Sequence, residues 1–67
     1  MISPVKLIRQ KLLMTQAEFA KKLDMSKQMI SNYENDLYSP SIATIKKLMQ
    51  IARENNIEIG IDDFFKS

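Results

Sequence analysis

The sequence contains no cysteine and no histidine among its 67 residues. Without cysteine there is neither a disulfide framework nor a thiolate metal site. Without histidine the usual general bases and zinc ligands are missing as well. The chain also has no catalytic triad and no glycine-rich phosphate loop. We therefore expect no enzymatic activity, no catalytic residues, no metal, no cofactor and no small-molecule ligand.

Turn-forming residues are scarce, since the chain has one glycine and two prolines. An all-β fold needs many such residues, whereas helix-forming residues dominate here. We expect an all-α fold in which residues 1–67 form a single domain around one small core. A domain of this size without disulfides or metals needs good helix packing or a partner subunit.

Long hydrophobic runs are also missing. No run approaches the roughly 18 apolar residues that cross a bilayer. The opening MISPVKLIRQKLLM has neither a continuous apolar signal core nor a small-residue cleavage site. We expect a cytoplasmic protein that does not enter a membrane.

The net charge of +2 is unevenly distributed. Residues 1–53 hold nine basic and four acidic side chains, a net charge of +5. Residues 54–67 hold one basic and four acidic side chains, a net charge of −3. A polyanionic partner would bind the basic body and avoid the acidic end. Small proteins without such a partner also show asymmetries of this size, so charge alone does not decide the function.

Four hydroxyl side chains predict where helices begin. Ser3 before a proline, Thr15 three residues before Glu18, Ser26, and Ser41 after a proline all fit N-caps. The fourth helix is expected over residues 42–54, with five apolar residues facing the core: Ile42, Ile45, Leu48, Met49 and Ala52.

The C-terminal end is expected to carry a short fifth helical element. Asp62 and Asp63 suit the first turn of such an element, which would carry Phe64 and Phe65. One aromatic ring would cover the core, and the other is a candidate dimer contact. Apolar and acidic residues alternate over 57–59, which also allows a short extended segment there.

The third helix, within MSKQMISNYEN, has an unusual polar face. At about 100° per residue, five polar side chains fall on one arc: Lys27, Gln28, Ser31, Asn32 and Asn35. Glu34, the only acid, falls at the edge of that arc beside the apolar side. Amides, a lysine and a hydroxyl suit base edges and phosphates. An ordinary solvated helix face remains the alternative.

Residues 15–35, TQAEFAKKLDMSKQMISNYEN, resemble the helix-turn-helix of the phage repressor and Cro family. The resemblance extends over about residues 5–54. It includes Gln16, Ala20, Met25, Ile30, the YEN ending and Pro40-Ser41. It implies a four- to five-helix, lambda-repressor-like domain whose third helix enters the major groove of DNA.

The resemblance also implies roles for individual residues. Four residues would contact bases: Lys27, Gln28, Ser31 and Asn32. Gln16 would contact a phosphate and brace the third helix, and Asn35 would lie near a phosphate. Arg9 and Glu34 would form a structural ion pair. From their positions in the chain, Tyr38, Thr44 and Lys46 are further phosphate candidates, although each also fits an ordinary surface role.

Three positions depart from the family pattern. Leu13, Asp24 and Asp36 stand where the family often has glycine, and leucine tolerates a left-handed backbone less well than aspartate does. Asp36 also places a negative charge near the expected phosphate path.

Two functions follow from these expectations. The first is a transcriptional regulator that binds double-stranded DNA as a homodimer, with repression as the default. Its operator would be palindromic, and its context a phage or another mobile element. The alternative is a helical protein-interaction module, such as an antitoxin-like partner-binding domain, with weak or no DNA binding.

Overall fold

Each α-helix begins at a hydroxyl side chain that accepts a hydrogen bond from a backbone amide in its first turn. In the computed structural model, which describes residues 3–64, the four helices are α1 (Pro4–Lys11), α2 (Gln16–Lys22), α3 (Lys27–Glu34) and α4 (Ile42–Glu54). Their N-caps are Ser3, Thr15, Ser26 and Ser41. At α2, Thr15 and Glu18 form the reciprocal capping box. The predicted helix starts and the all-α fold class are confirmed.

The four helices also end alike, although none of them ends with glycine. The residue after each C-cap is left-handed, with φ near 58°: Leu13, Asp24, Asp36 and Asn56. One residue further on, a backbone amide returns to the last helical turn, as from Met25 to the Ala20 carbonyl at 2.8 Å. The same backbone geometry thus ends every α-helix.

The core lies where the four helices meet. Its largest fully buried side chains come from all of them and include Ile8, Phe19, Ile30 and Leu48. The predicted burial of Ile42 is wrong, because its side chain is 57 % exposed. Ile42 and Leu48 are six positions apart, which at about 100° per residue puts their side chains about 120° apart around the helix axis. Leu48 lies on the buried face, so Ile42 does not. Ile51 is buried on that face instead.

A 3₁₀ turn over Ile61–Phe64 follows the fourth helix. Phe64 is half-buried against the core. The alternating segment 57–59 forms no strand, although Ile57 and Ile59 pack partly against the core. Phe65 lies outside the described residues. Within residues 3–64, no helix is long and apolar enough to cross a membrane.

Candidate nucleic-acid interface

The α2–turn–α3 unit has a fixed geometry set by its short connection. After α2, Leu23 and the left-handed Asp24 turn the chain, and Ser26 then caps α3 through the Met29 amide at 3.1 Å. Ala20 and Ile30 are both buried, so the two helices pack directly against each other. This packing determines which face of α3 points away from the protein.

The outward face of α3 brings together the residues expected to contact bases. Lys27 and Gln28 are exposed in its first turn, and Ser31 and Asn32 are half-buried one turn later. Asn35, the C-cap of α3, is exposed. The face therefore offers one cation, three amides and one hydroxyl to a ligand.

Hydrogen bonds organise this face into two pairs. Gln28 Nε2 donates to Asn32 Oδ1 at 3.1 Å. Asn35 Nδ2 donates to the Ser31 carbonyl at 2.9 Å and to Ser31 Oγ at 3.3 Å. Sequence reasoning did not identify these pairs, although the i, i+4 spacing of polar residues on one helix face is the signal for them.

An ionic cluster fastens the inner side of α3 to the first two helices. Arg9 Nε donates to Glu34 Oε2 at 2.6 Å, and Arg9 Nη2 donates to Glu34 Oε1 at 3.0 Å. Gln16 Nε2 donates to the same Oε1 at 3.1 Å. The remaining guanidinium nitrogen, Arg9 Nη1, donates to the Met14 carbonyl at 2.9 Å. One carboxylate therefore links α1, α2 and α3.

The cluster is largely removed from water, since the side chains of Arg9 and Glu34 are 15 % and 4 % exposed. Burial opposes ionisation of Glu34, but the hydrogen bonds from Arg9 and Gln16 and the charges of Arg9 and Lys6 outweigh it. The pKa of Glu34 is consequently lowered from its ordinary value. The hydrogen bonds to Glu34 likewise raise the pKa of Arg9. Both groups are charged at neutral pH.

Residues 5–53 match the family model described as helix-turn-helix, of the Cro/C1 type. The chain belongs to the Cro/C1-type helix-turn-helix family. This family consists of DNA-binding regulators rather than enzymes, so the protein is a DNA-binding transcription regulator with double-stranded DNA as its partner. No curated protein and no solved structure matches the chain significantly.

The expected phosphate contacts of this helix-turn-helix regulator differ in accessibility. Tyr38 is 61 % exposed in the loop after α3, and Lys46 is exposed on α4. Gln16 is half-buried, with one N–H held by Glu34 and its second N–H left to donate to a phosphate. Asn35 keeps its oxygen free of the Ser31 contact, but an oxygen does not donate to a phosphate.

Thr44 stands apart from these residues. It is only 8 % exposed, and its hydroxyl accepts a hydrogen bond from Ser41 Oγ at 3.1 Å. The backbone amide of Thr44 donates to the same Ser41 oxygen at 3.2 Å. Thr44 thus supports the N-cap of α4 and has little surface for DNA.

The loop between α3 and α4 exposes two large side chains. Leu37 is 66 % exposed, and Tyr38 follows it directly. Tyr38 also lines a surface cavity of about 320 Å³ together with Asp36, Asp63 and Phe64. The two carboxylates make this cavity unsuitable for phosphate. The apolar side chains of this loop suit a protein partner, whereas the hydroxyl of the exposed Tyr38 can donate a hydrogen bond to the DNA backbone.

Proposed function

We propose that the protein is a transcriptional repressor that binds a palindromic operator as a homodimer. The observation that carries the proposal is the outward face of α3, where five uncharged or cationic polar side chains meet. The only acidic residue of α3, Glu34, points inward and is neutralised by Arg9. Repression needs no further activity, because a protein bound across a promoter excludes polymerase. The resemblance to phage repressors supports a phage or another mobile element, and hence the cytoplasm, as the setting.

The base contacts in this proposal come from Lys27, Gln28, Ser31 and Asn32. Residues at the N-terminal end of a recognition helix reach base edges, and amides and lysine are suitable readers there. Gln16, Tyr38 and Lys46 would contact the backbone, where contacts fix the register of the protein on DNA. Asn35 would lie beside the backbone, and its amide would have to release Ser31 in order to donate to a phosphate.

The short length of a single α3 supports dimerisation. An α3 of eight residues covers only a few base pairs. Two copies on half-sites about one helical turn apart, roughly 34–36 Å, would read a longer operator. Phe64, which lines the cavity beside the loop after α3, and Phe65 are the proposed dimer contact.

The test is selection of preferred sequences from a randomised duplex library. We expect the wild type to enrich a two-fold symmetric motif. Lys27→Ala combined with Gln28→Ala should relax that motif, because both side chains are exposed in the first turn of α3. The matched control replaces Gln10 and Lys11, an exposed glutamine–lysine pair on α1, with alanine and should leave the motif unchanged.

Other outcomes would change the proposal in defined ways. A single asymmetric motif would retain the sequence reader and exclude the dimer on DNA. Equal relaxation by the α1 control would show that α3 is not the reading helix. The absence of enrichment at low salt would exclude the repressor.

The absence of enrichment would instead favour a protein-interaction module. The observation that supports this second candidate is the loop after α3, where Leu37 and Tyr38 are exposed beside Asp36. Its negative charge disfavours phosphate, and its apolar side chains suit a protein surface. A DNA binder loses affinity steeply as salt rises, whereas such a module would not.

A further inference from the structure

Two amide side chains on α3 are joined by a hydrogen bond that has a consequence for base recognition. Gln28 Nε2 donates to Asn32 Oδ1 at 3.1 Å. Gln28 is exposed and is the second residue of α3, the end that reaches base edges in helix-turn-helix proteins. Asn32 lies one turn further along the same face.

In the structure this hydrogen bond turns Gln28 Nε2 toward Asn32 and so orients the Gln28 amide. An unrestrained amide rotates, and a rotation of about 180° exchanges the positions of its oxygen and nitrogen. It can then pair with a base edge that presents its donor and acceptor in either order. With one N–H held by Asn32, the second N–H and Oε1 of Gln28 remain for DNA. A donor beside an acceptor matches N7 and the N6 amino group of adenine. Because the side chain is already ordered, less entropy is lost when it binds.

Asn32 is left with a different set of groups. Its Oδ1 is occupied by Gln28, and its two N–H donors are not engaged by that bond. Direct contacts from Asn32 through these donors would go to base acceptors.

We propose that Gln28 and Asn32 form one reading unit, in which Asn32 positions the Gln28 amide so that it selects adenine. The proposal rests on the DNA-binding function proposed above and adds the base that is read and the residue that orients the reader. Gln28 contacts the base, and Asn32 is its positioning residue.

The test uses the operator obtained from the library selection. Affinity is measured for operators with each of the four bases at the position that Gln28→Ala relaxes. The wild type should prefer adenine there by about 5- to 150-fold. Replacing this adenine with 7-deazaadenine, which lacks N7, or with purine, which lacks the amino group, should each abolish most of the preference.

Variants of Asn32 separate positioning from direct contact. Asn32→Ala should weaken the adenine preference at the same base pair, and adding Gln28→Ala should reduce it no further than Gln28→Ala alone. Asn32→Asp keeps the acceptor, so it should retain the preference while lowering affinity for all sequences through repulsion from phosphates. Gln10→Ala, which removes an exposed amide on α1 outside the proposed interface, is the control and should leave this preference intact.

Three results would overturn the inference. Retention of the adenine preference in Asn32→Ala would exclude the positioning role. Relaxation of a different base pair would make Asn32 an independent reader. Preference for another base at the Gln28 position would exclude the adenine assignment. A wild type that enriches no sequence would instead refute the proposed function, and that result is known before any variant is made.

Discussion

The ionic cluster that holds α3 should make an unusually large contribution to stability. The perturbation is Arg9→Met, which keeps much of the side-chain length and removes three hydrogen bonds, two to Glu34 and one to the Met14 carbonyl. Glu34, with its side chain 4 % exposed, would retain Gln16 as its one hydrogen-bond partner among the described residues. Breaking a buried pair in this way costs about 3–5 kcal/mol.

That cost is large compared with the whole stability of the domain. A chain of 67 residues is typically stable by about 3–10 kcal/mol. A loss of 3 kcal/mol should lower the melting temperature of so small a domain by about 12–24 °C. Arg9→Met should therefore be close to unfolded at moderate temperature.

The assay is urea denaturation followed by circular dichroism at neutral pH, with linear extrapolation to water. Lys11→Met, an exposed replacement on the same helix, is the matched control and should change stability by less than about 0.5 kcal/mol. The double variant Arg9→Met with Glu34→Met should recover most of the loss, because apolar side chains tolerate burial without a partner. The reasoning is refuted if Arg9→Met costs under about 1 kcal/mol, or if the double variant is no more stable than the single.

Three further predictions concern the acid range, a helix end and the phosphate contacts. Because folding lowers the pKa of Glu34, its stabilising contribution is complete above the ordinary pKa of 4.5 and is lost as pH falls through the lower pKa of the folded state. When the free energy of unfolding is measured as a function of pH in the acid range, Glu34→Gln should lose less stability than the wild type. Leu13→Gly should raise unfolding free energy by about 1 kcal/mol, since Leu13 is left-handed and 92 % exposed; an unchanged or lowered melting temperature would contradict this. If Lys46 contacts a phosphate, Lys46→Ala should make the slope of log affinity against log salt concentration shallower by about 0.9. Lys47→Ala is the neighbouring control, and equal slopes in the two variants would remove Lys46 from the interface.

The helix boundaries were predictable from the sequence because their determinants are local. A capping hydroxyl such as Ser26 and a reciprocal Thr15–Glu18 pair act within a single turn. The positions where helices begin can therefore be read from neighbouring residues in the sequence. The left-handed residues after the helices follow the same principle. Even Leu13, the least suited of them, adopts that backbone, because the Met14 amide and carbonyl are both held by Arg9.

Burial on α4 was less predictable because it depends on the angle at which the helix meets its neighbours. Ile42 and Ile45 are three residues apart and look like one apolar stripe, yet only Ile45 is buried. The buried face is centred near Leu48, and no local signal states that centre. The same limit applies to Thr44, whose burial follows from the packing of α4.

Side-chain hydrogen bonding on α3 was the least predictable feature of the interface. The spacing of Gln28 and Asn32 permits a contact, but the choice between mutual pairing and separate exposure depends on side-chain rotamers. The helical wheel therefore predicted which residues share the face and did not predict which atoms remain free. Base preference depends on those free atoms.

The outward polar face and the ionic cluster occupy neighbouring sides of the same eight-residue helix. A helix this short is not stable alone, so its orientation must come from contacts with the rest of the protein. Arg9 and Gln16 supply such contacts at Glu34, in the last turn of α3, while the Ser26 cap and Ile30 hold its beginning. Loosening the Glu34 end should thus weaken binding to every sequence by disordering the whole face, whereas changes at outward positions should alter which sequence is preferred. Substitutions at Glu34 should therefore change affinity for all sequences, whereas substitutions at the outward positions of α3 should change specificity.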